Sequence, residues 1–111
     1  MEYIDKIPIL KKTYRFALDC IYFHDELVDQ KKGSIAKRVL TSALEGICNL
    51  QNSFSASRRH EFYEFRSKAI INFKNVVYWL SQCEKSGYLF NEELLRDAVE
   101  LYDYCSNDIM P

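Results

Sequence analysis

Apolar residues recur along this chain at alternating intervals of three and four, the spacing that returns a side chain to one face of an α-helix. A first stripe runs through Ile7, Leu10, Tyr14, Ala17, Ile21 and Val28. Pro8 suits a first helical turn, so the spacing predicts a helix that starts near Pro8. It ends in Gln30-Lys31-Lys32-Gly33, where basic side chains favour a helix C-terminus and glycine can terminate it. Ser34 is the expected cap of a second helix. Its stripe is Ala36, Leu40, Ala43, Ile47, Leu50 and Phe54, beside a row of small or polar residues, Ser42, Gly46, Asn49 and Ser53. Ser53 to Ser57 reads as a short connection, with Ser57 capping a third helix that reaches to the Ser86-Gly87 pair. Phe62, Phe65, Ala69, Phe73, Val76, Leu80 and Cys83 form its inward stripe. Gly87 ends it, Asn91 caps a fourth helix, and Glu92 and Glu93 favour the positive end of that helix. The last stripe is Leu94/Leu95, Ala98, Leu101/Tyr102, Cys105 and Ile109.

Four such helices joined by short loops predict an all-α fold, an antiparallel up-down-up-down four-helix bundle. The 111 residues form one domain, and 3 glycines and 2 prolines leave little room for further interruptions. The third helix carries apolar residues well off its stripe: Ile70, Ile71, Val77, Tyr78 and Trp79. A helix apolar around so much of its circumference is central or touches another subunit, so these five are the candidate oligomer contacts.

The net charge of −1 hides a segregation. Residues 1–90 hold 14 of the 15 Lys and Arg against 10 of the 16 carboxylates, a balance of +4. Residues 91–111 set Arg96 against six acids, a balance of −5. Such a chain lacks the strongly basic footprint of a dedicated nucleic-acid binder. Its cations are nonetheless clustered. Lys31, Lys32, Lys37 and Arg38 gather at the first helical junction, while Arg58 and Arg59 open the third helix, followed by Arg66 and Lys68. Phe62, Tyr63 and Phe65 interleave with the second group, a pattern found on RNA-binding surfaces and equally on solvated faces above an aromatic core.

Catalytic and metal chemistry find no foothold. His24 has Leu27 and Val28 where further ligands would stand, and His60 has Glu64 one turn on but no Glu-x-x-His in the chain. Cys20, Cys48, Cys83 and Cys105 fall one per helix, at heights that keep them from meeting in one tetrathiolate site, and read as small apolar residues. No Gly-rich phosphate loop, G-x-S-x-G elbow or Cys/His nucleophile pair occurs. Nuclease bundles of the HEPN type need an Arg four to six residues before a His, and neither histidine has one. The expectation is a non-enzymatic protein with no metal, no cofactor and no small-molecule substrate. No apolar run approaches the roughly 20 residues that span a bilayer. Met1-Glu2-Tyr3-Ile4-Asp5 lacks the layout of a signal peptide, so a cytoplasmic chain with reduced thiols and no membrane partner is expected.

Several short segments carry a resemblance. Ile7-Pro8-Ile9-Leu10-Lys11-Lys12-Thr13-Tyr14 resembles the opening of the accessory variability determinant (Avd-like) proteins of diversity-generating retroelements. Ser57-Arg58-Arg59-His60-Glu61-Phe62-Tyr63-Glu64-Phe65 is similar to the start of the third helix in the related 23S rRNA intervening-sequence proteins. Tyr78-Trp79-Leu80, Gly87-Tyr88-Leu89 and Ser42-Ala43 match further points of that family. The resemblance covers nearly the whole chain through short, mainly structural motifs. It implies a ring-like homo-oligomer, a homopentamer, of four-helix bundles without enzymatic activity. In the retroelement branch such a ring binds the reverse transcriptase and nucleic acid through a basic surface. The expected partners are therefore a reverse transcriptase and structured RNA, with Arg58, Arg59, Arg66, Lys68, Lys37 and Arg38 as contacts. The alternative is a purely structural helical interaction module with no nucleic-acid role.

Overall fold

The computed structural model describes residues 3–107, with the side chains described from Pro8 onward. Of the expected stripe positions, Ile109 lies outside the described residues and Ile7 outside the described side chains. The four helices are α1 (Tyr3–Asp29), α2 (Gly33–Ser55), α3 (Arg59–Lys85) and α4 (Glu92–Asn107). They form an antiparallel four-helix bundle measuring 44 × 21 × 18 Å. No strand occurs among the described residues.

Each helix turns one heptad stripe inward. On α3 this is Arg66, Ala69, Phe73, Val76, Leu80 and Cys83, and on α4 Leu94, Ala98, Leu101 and Cys105. On α2 it is Ala36, Val39, Ala43, Gly46, Leu50 and Ser53, with Ile47 beside them. Gly46 and Ser53, from the row of small and polar residues on α2, are thus buried against α3, while Ser42 and Asn49 stand at the edge of that contact. A Cβ on Gly46 would lie 3.0 Å from the Phe73 ring and 3.1 Å from Asn72, so its missing side chain sets how closely α2 and α3 approach.

The structure corrects the first helix. The buried residues of α1 are Ile9, Thr13, Phe16, Cys20, Phe23 and Leu27, a stripe turned by one residue from the expected one. Tyr14, Ile21 and Val28 face outward instead. Both stripes have the helical period, and the one that wins places two phenylalanine rings in the core. Phe16 meets Phe73 edge to face, with centroids 6.2 Å apart. The losing stripe would have buried the Tyr14 hydroxyl, whereas the Thr13 hydroxyl is satisfied locally by donating to the Leu10 carbonyl at 2.8 Å. The start also differs: α1 begins at Tyr3 and carries Pro8 within it.

Three expected caps move. Lys31, not Gly33, takes the left-handed conformation (φ 63°) that ends α1. The Lys32 N–H reaches the Leu27 carbonyl (2.8 Å) and the Lys31 N–H the Val28 carbonyl (2.9 Å), which is a Schellman closure. Gly33 therefore opens α2, and neither Ser34 nor Ser57 caps a helix through its side chain. The α3 terminus follows expectation. Gly87 adopts φ 74°, and the Tyr88 N–H donates to the Cys83 carbonyl at 2.9 Å. Asn91 Oδ1 accepts the Leu94 N–H at 3.0 Å and so caps α4. The loops after α1 and α3 lie at the same end of the bundle, where the Lys32 ammonium sits 4.5 Å from the Tyr88 ring centroid.

Helices α1 and α4 are joined by charge as well as by core. Lys12 Nζ lies 3.1 Å from Asp97 and 3.0 Å from Glu100. Burial opposes the Lys12 ammonium, but hydrogen bonds and charge from those carboxylates outweigh it and raise its pKa above the ordinary value.

Candidate functional site

The outer seam between α2 and α3 gathers the polar chemistry of the surface. Asn49 Nδ2 donates to Asn72 Oδ1 at 2.7 Å, midway along α3. Toward the Lys32 end the seam opens into a groove of about 440 Å³. Its walls are Lys37, Arg38, Thr41 and Ser42 from α2 and Asn75 and Trp79 from α3, with Ser34 at its rim. The helical period explains this grouping, because positions 38 and 42 of α2 and 75 and 79 of α3 each lie one turn apart. The Arg38 guanidinium lies over the Trp79 ring, 4.9 Å from its centroid, and the Tyr78 ring meets Trp79 edge to face at 4.9 Å. No carboxylate lines this groove.

The expected nucleic-acid contacts are therefore divided. Lys37 and Arg38 stand together in the groove. Arg58 and Arg59 are exposed at the opposite end, about 27 Å away along α2 at 1.5 Å per residue. Lys68 is exposed on the same α3 ridge as Asn75 and Trp79, with its ammonium 5.9 Å from the Phe65 ring.

Arg66 is a correction: it is fully buried and offers no charge to a partner. Its guanidinium carbon lies 5.0 Å from the Phe54 ring centroid, 4.7 Å from Phe62 and 5.1 Å from Tyr104. Nε donates to Ser53 Oγ at 2.8 Å, and that hydroxyl donates to the Leu50 carbonyl at 2.6 Å. Three aromatic faces make a cation tolerable where solvent is excluded. Arg66 thus ties α2, α3 and α4 together at one end of the bundle. The signal was present in the sequence. Stepping back three residues from Ala69 lands on Arg66, an inward heptad position, with the small polar Ser53 inward on α2.

The five candidate oligomer residues on α3 also separate. Ile70 and Val77 pack against the core, and Trp79 is half-buried beneath Arg38. Ile71 and Tyr78 remain exposed, at 60% and 53%. A more continuous apolar face, missed from sequence, lies on α1. Tyr14 (71%), Leu18 (40%), Ile21 (38%) and Val28 (45%) keep a heptad spacing along its outer side, interrupted only by Asp25. Periodicity alone could have found it, since two offset apolar stripes on one helix mean that one is left outside.

The titratable groups outside this seam do not converge. His24 is half-buried and its Nδ1 lies 3.0 Å from Asp25 Oδ1. His60 is exposed at the start of α3. Cys48 is exposed while Cys20, Cys83 and Cys105 are buried, and none of the four is in a disulfide. Burial, with the charges of Asp19 and Asp97, pushes the Cys20 thiol up to about 12, and burial raises Cys83 as well. Among the described residues no cluster of His, Cys, Asp and Glu could hold a metal ion, and no helix is long and apolar enough to cross a membrane. A second groove near the α4 N-terminus, about 420 Å³, is lined by Glu26, Glu92 and Glu93 with Arg96.

No family model matches the chain, and no curated protein matches it. Among solved structures it is similar to the crystal structure of a protein of unknown function from the S23 ribosomal protein family of Bacteroides thetaiotaomicron. The TM-score is 0.87 at 21% sequence identity, over 93% of this chain and 99% of that one. At that identity the likeness establishes the four-helix fold.

Proposed function

We propose that this chain is a non-enzymatic, oligomeric binding protein of the cytoplasm, a bundle that assembles with copies of itself and serves as an accessory to other molecules. The outward apolar stripe of α1 carries this reading. Tyr14, Leu18, Ile21 and Val28 are spaced as a helix-packing seam, yet among the described residues no other helix covers them. A second copy of the same helix presents the same spacing. Exposed Ile71 and Tyr78 on α3 add a second apolar surface, which suits a closed ring in which each subunit uses two faces. The homopentameric ring implied by the resemblance is the assembly we favour.

Light scattering on purified protein is expected to give several times the chain mass of 13.2 kDa at micromolar concentration. Placing a charge in the seam, Leu18→Asp, is expected to reduce that mass with helix content retained. A monomeric wild type would sink this reading.

The accessory role includes structured RNA and a reverse transcriptase as partners. In a ring, Arg58 and Arg59 repeat around one end, and Lys37, Arg38 and Lys68 repeat along the α2–α3 seam, so modest clusters add into a cationic surface. Filter retention at 50 mM salt is expected for wild type and much reduced for the double charge reversal Arg58→Glu/Arg59→Glu. No retention by wild type would leave the purely structural module as the better account.

A further inference from the structure

We infer that the α2–α3 groove at Arg38 and Trp79 is a single-nucleotide slot, taking one unpaired nucleotide of an RNA strand. The inference rests on the RNA-binding part of the reading above and adds to it a site, a ligand class and a preference for single strands.

Three features of the groove point the same way. The first is its stacking surface. Trp79 meets Tyr78 edge to face, and the Arg38 guanidinium carbon lies over its ring 4.9 Å from the centroid, so an aromatic ring and a planar cation already stand together at the groove. Nucleobases stack on tryptophan rings and on arginine planes, in RNA recognition above all where a base is splayed out of a helix. The second is polar composition. Lys37 and Arg38 supply positive charge, Thr41 and Ser42 hydroxyls, and Asn75 an amide that can both donate to and accept from a base edge. The third is the absence of any carboxylate in the lining, in a chain with 16 acids, which leaves a phosphate unopposed. A groove of similar size near the α4 N-terminus sets Glu26, Glu92 and Glu93 against the single Arg96 and would repel the same ligand. At about 440 Å³ the slot has room for one nucleotide and not for a duplex. The strand can leave it along the seam toward exposed Lys68, eleven residues and about 16 Å down α3, passing Asn72, whose Nδ2 donates to the exposed Glu45 carboxylate at 3.5 Å, the one acid on that path.

The protein supplies its own probe, because Trp79 is the single tryptophan of the chain. Full-length protein at 50 mM salt is titrated with a fluorescein-labelled single-stranded 12-mer oligoadenylate and with a 12-base-pair RNA duplex. Anisotropy of the dye reports binding, and the matching unlabelled RNA, run separately, reports on Trp79 emission. The slot predicts that the single strand binds and quenches Trp79 emission by about half, while the duplex quenches far less. It also predicts that Thr41→Glu, which places a carboxylate on an exposed position of the lining, weakens single-strand binding at least tenfold with unchanged circular dichroism. RNA that binds by anisotropy with Trp79 emission unmoved, or with Thr41→Glu binding as wild type, overturns the slot and leaves the general RNA reading in place. Equal quenching by inorganic tripolyphosphate would make the groove an anion site and overturn base stacking. Absence of binding by either RNA overturns both.

Discussion

Arg66 is the residue on which one end of the bundle turns. It buries a guanidinium among Phe54, Phe62 and Tyr104 and gives a hydrogen bond to Ser53, so one side chain organises three helices. Arg66→Ala removes the cation–π contacts and leaves a cavity, and should cost about 3 kcal/mol or more in urea unfolding. Arg66→Lys should lose most of the same energy, because an ammonium lacks the flat face that three rings can share. At the same scale the four thiols should differ sharply. Iodoacetamide on native protein at pH 8 should modify the exposed Cys48 and leave Cys20, Cys83 and Cys105 intact, as read by mass spectrometry. The Cys20 thiol, ordinarily 9.0 and raised to about 12 in the fold, gives a further test with a definite sign. Below pH 9 both folded and unfolded chains keep this proton and nothing is lost. Above it the unfolded chain releases the proton and the folded chain does not, so stability should fall by up to about 1.4 kcal/mol per pH unit. Cys20→Ala should flatten that alkaline slope.

At the scale of elements, the α2–α3 pair is the closest-fitting contact, and Gly46 is the reason. Its vacant Cβ position lies 3.0 Å from Phe73, a ring already wedged against Phe16. Gly46→Val should therefore destabilise by about 1–3 kcal/mol despite removing a helical glycine, since overpacking exceeds the gain in propensity. Chemical denaturation with an unchanged m-value would assign the loss to packing. The α1–α4 pair is the opposite case, with Lys12 bridging Asp97 and Glu100 at a partly exposed seam. Partly solvated ion pairs contribute little to stability, so this contact serves register more than strength. Because α1 is packed hard only on its Phe16 and Phe23 side, its other face is free to pack elsewhere.

For the whole molecule, the distribution of charge decides more than its total. A net charge of −1 gives little long-range attraction to RNA. Five of the acids stand on α4, whereas Lys37, Arg38, Arg59 and Lys68 stand on α2 and α3, and an assembly multiplies the cationic surfaces. With about 5–10 phosphate contacts per ring, RNA affinity should drop on the order of 10³-fold or more between 50 and 200 mM salt. A filter-retention series across that range tests this, and a shallow salt dependence would argue against a repeated cationic surface. The monomeric product of Leu18→Asp should show a weaker slope than wild type, because fewer phosphates are neutralised at once.

Much of this protein was legible in its amino-acid order. The 3–4 alternation, the scarcity of glycine and proline, Gly87 at a helix end and Asn91 at a helix start determine the number of helices, their approximate limits and their up-down connection. These are local matters, settled within a turn or two of backbone. Tertiary structure decided the rest. Helix α1 carries two apolar stripes one residue apart, and only the fit of Phe16 against Phe73 chose which went inside. Arg66 sits at an inward heptad position of α3, but the three aromatic rings that hold it there are brought together only when three helices close around it. Lys37, Arg38, Thr41, Asn75 and Trp79 make no contiguous pattern, because the turns that bring them together come from different helices, far apart in sequence. Periodicity specifies which residues share a face of one helix; only packing specifies which faces meet.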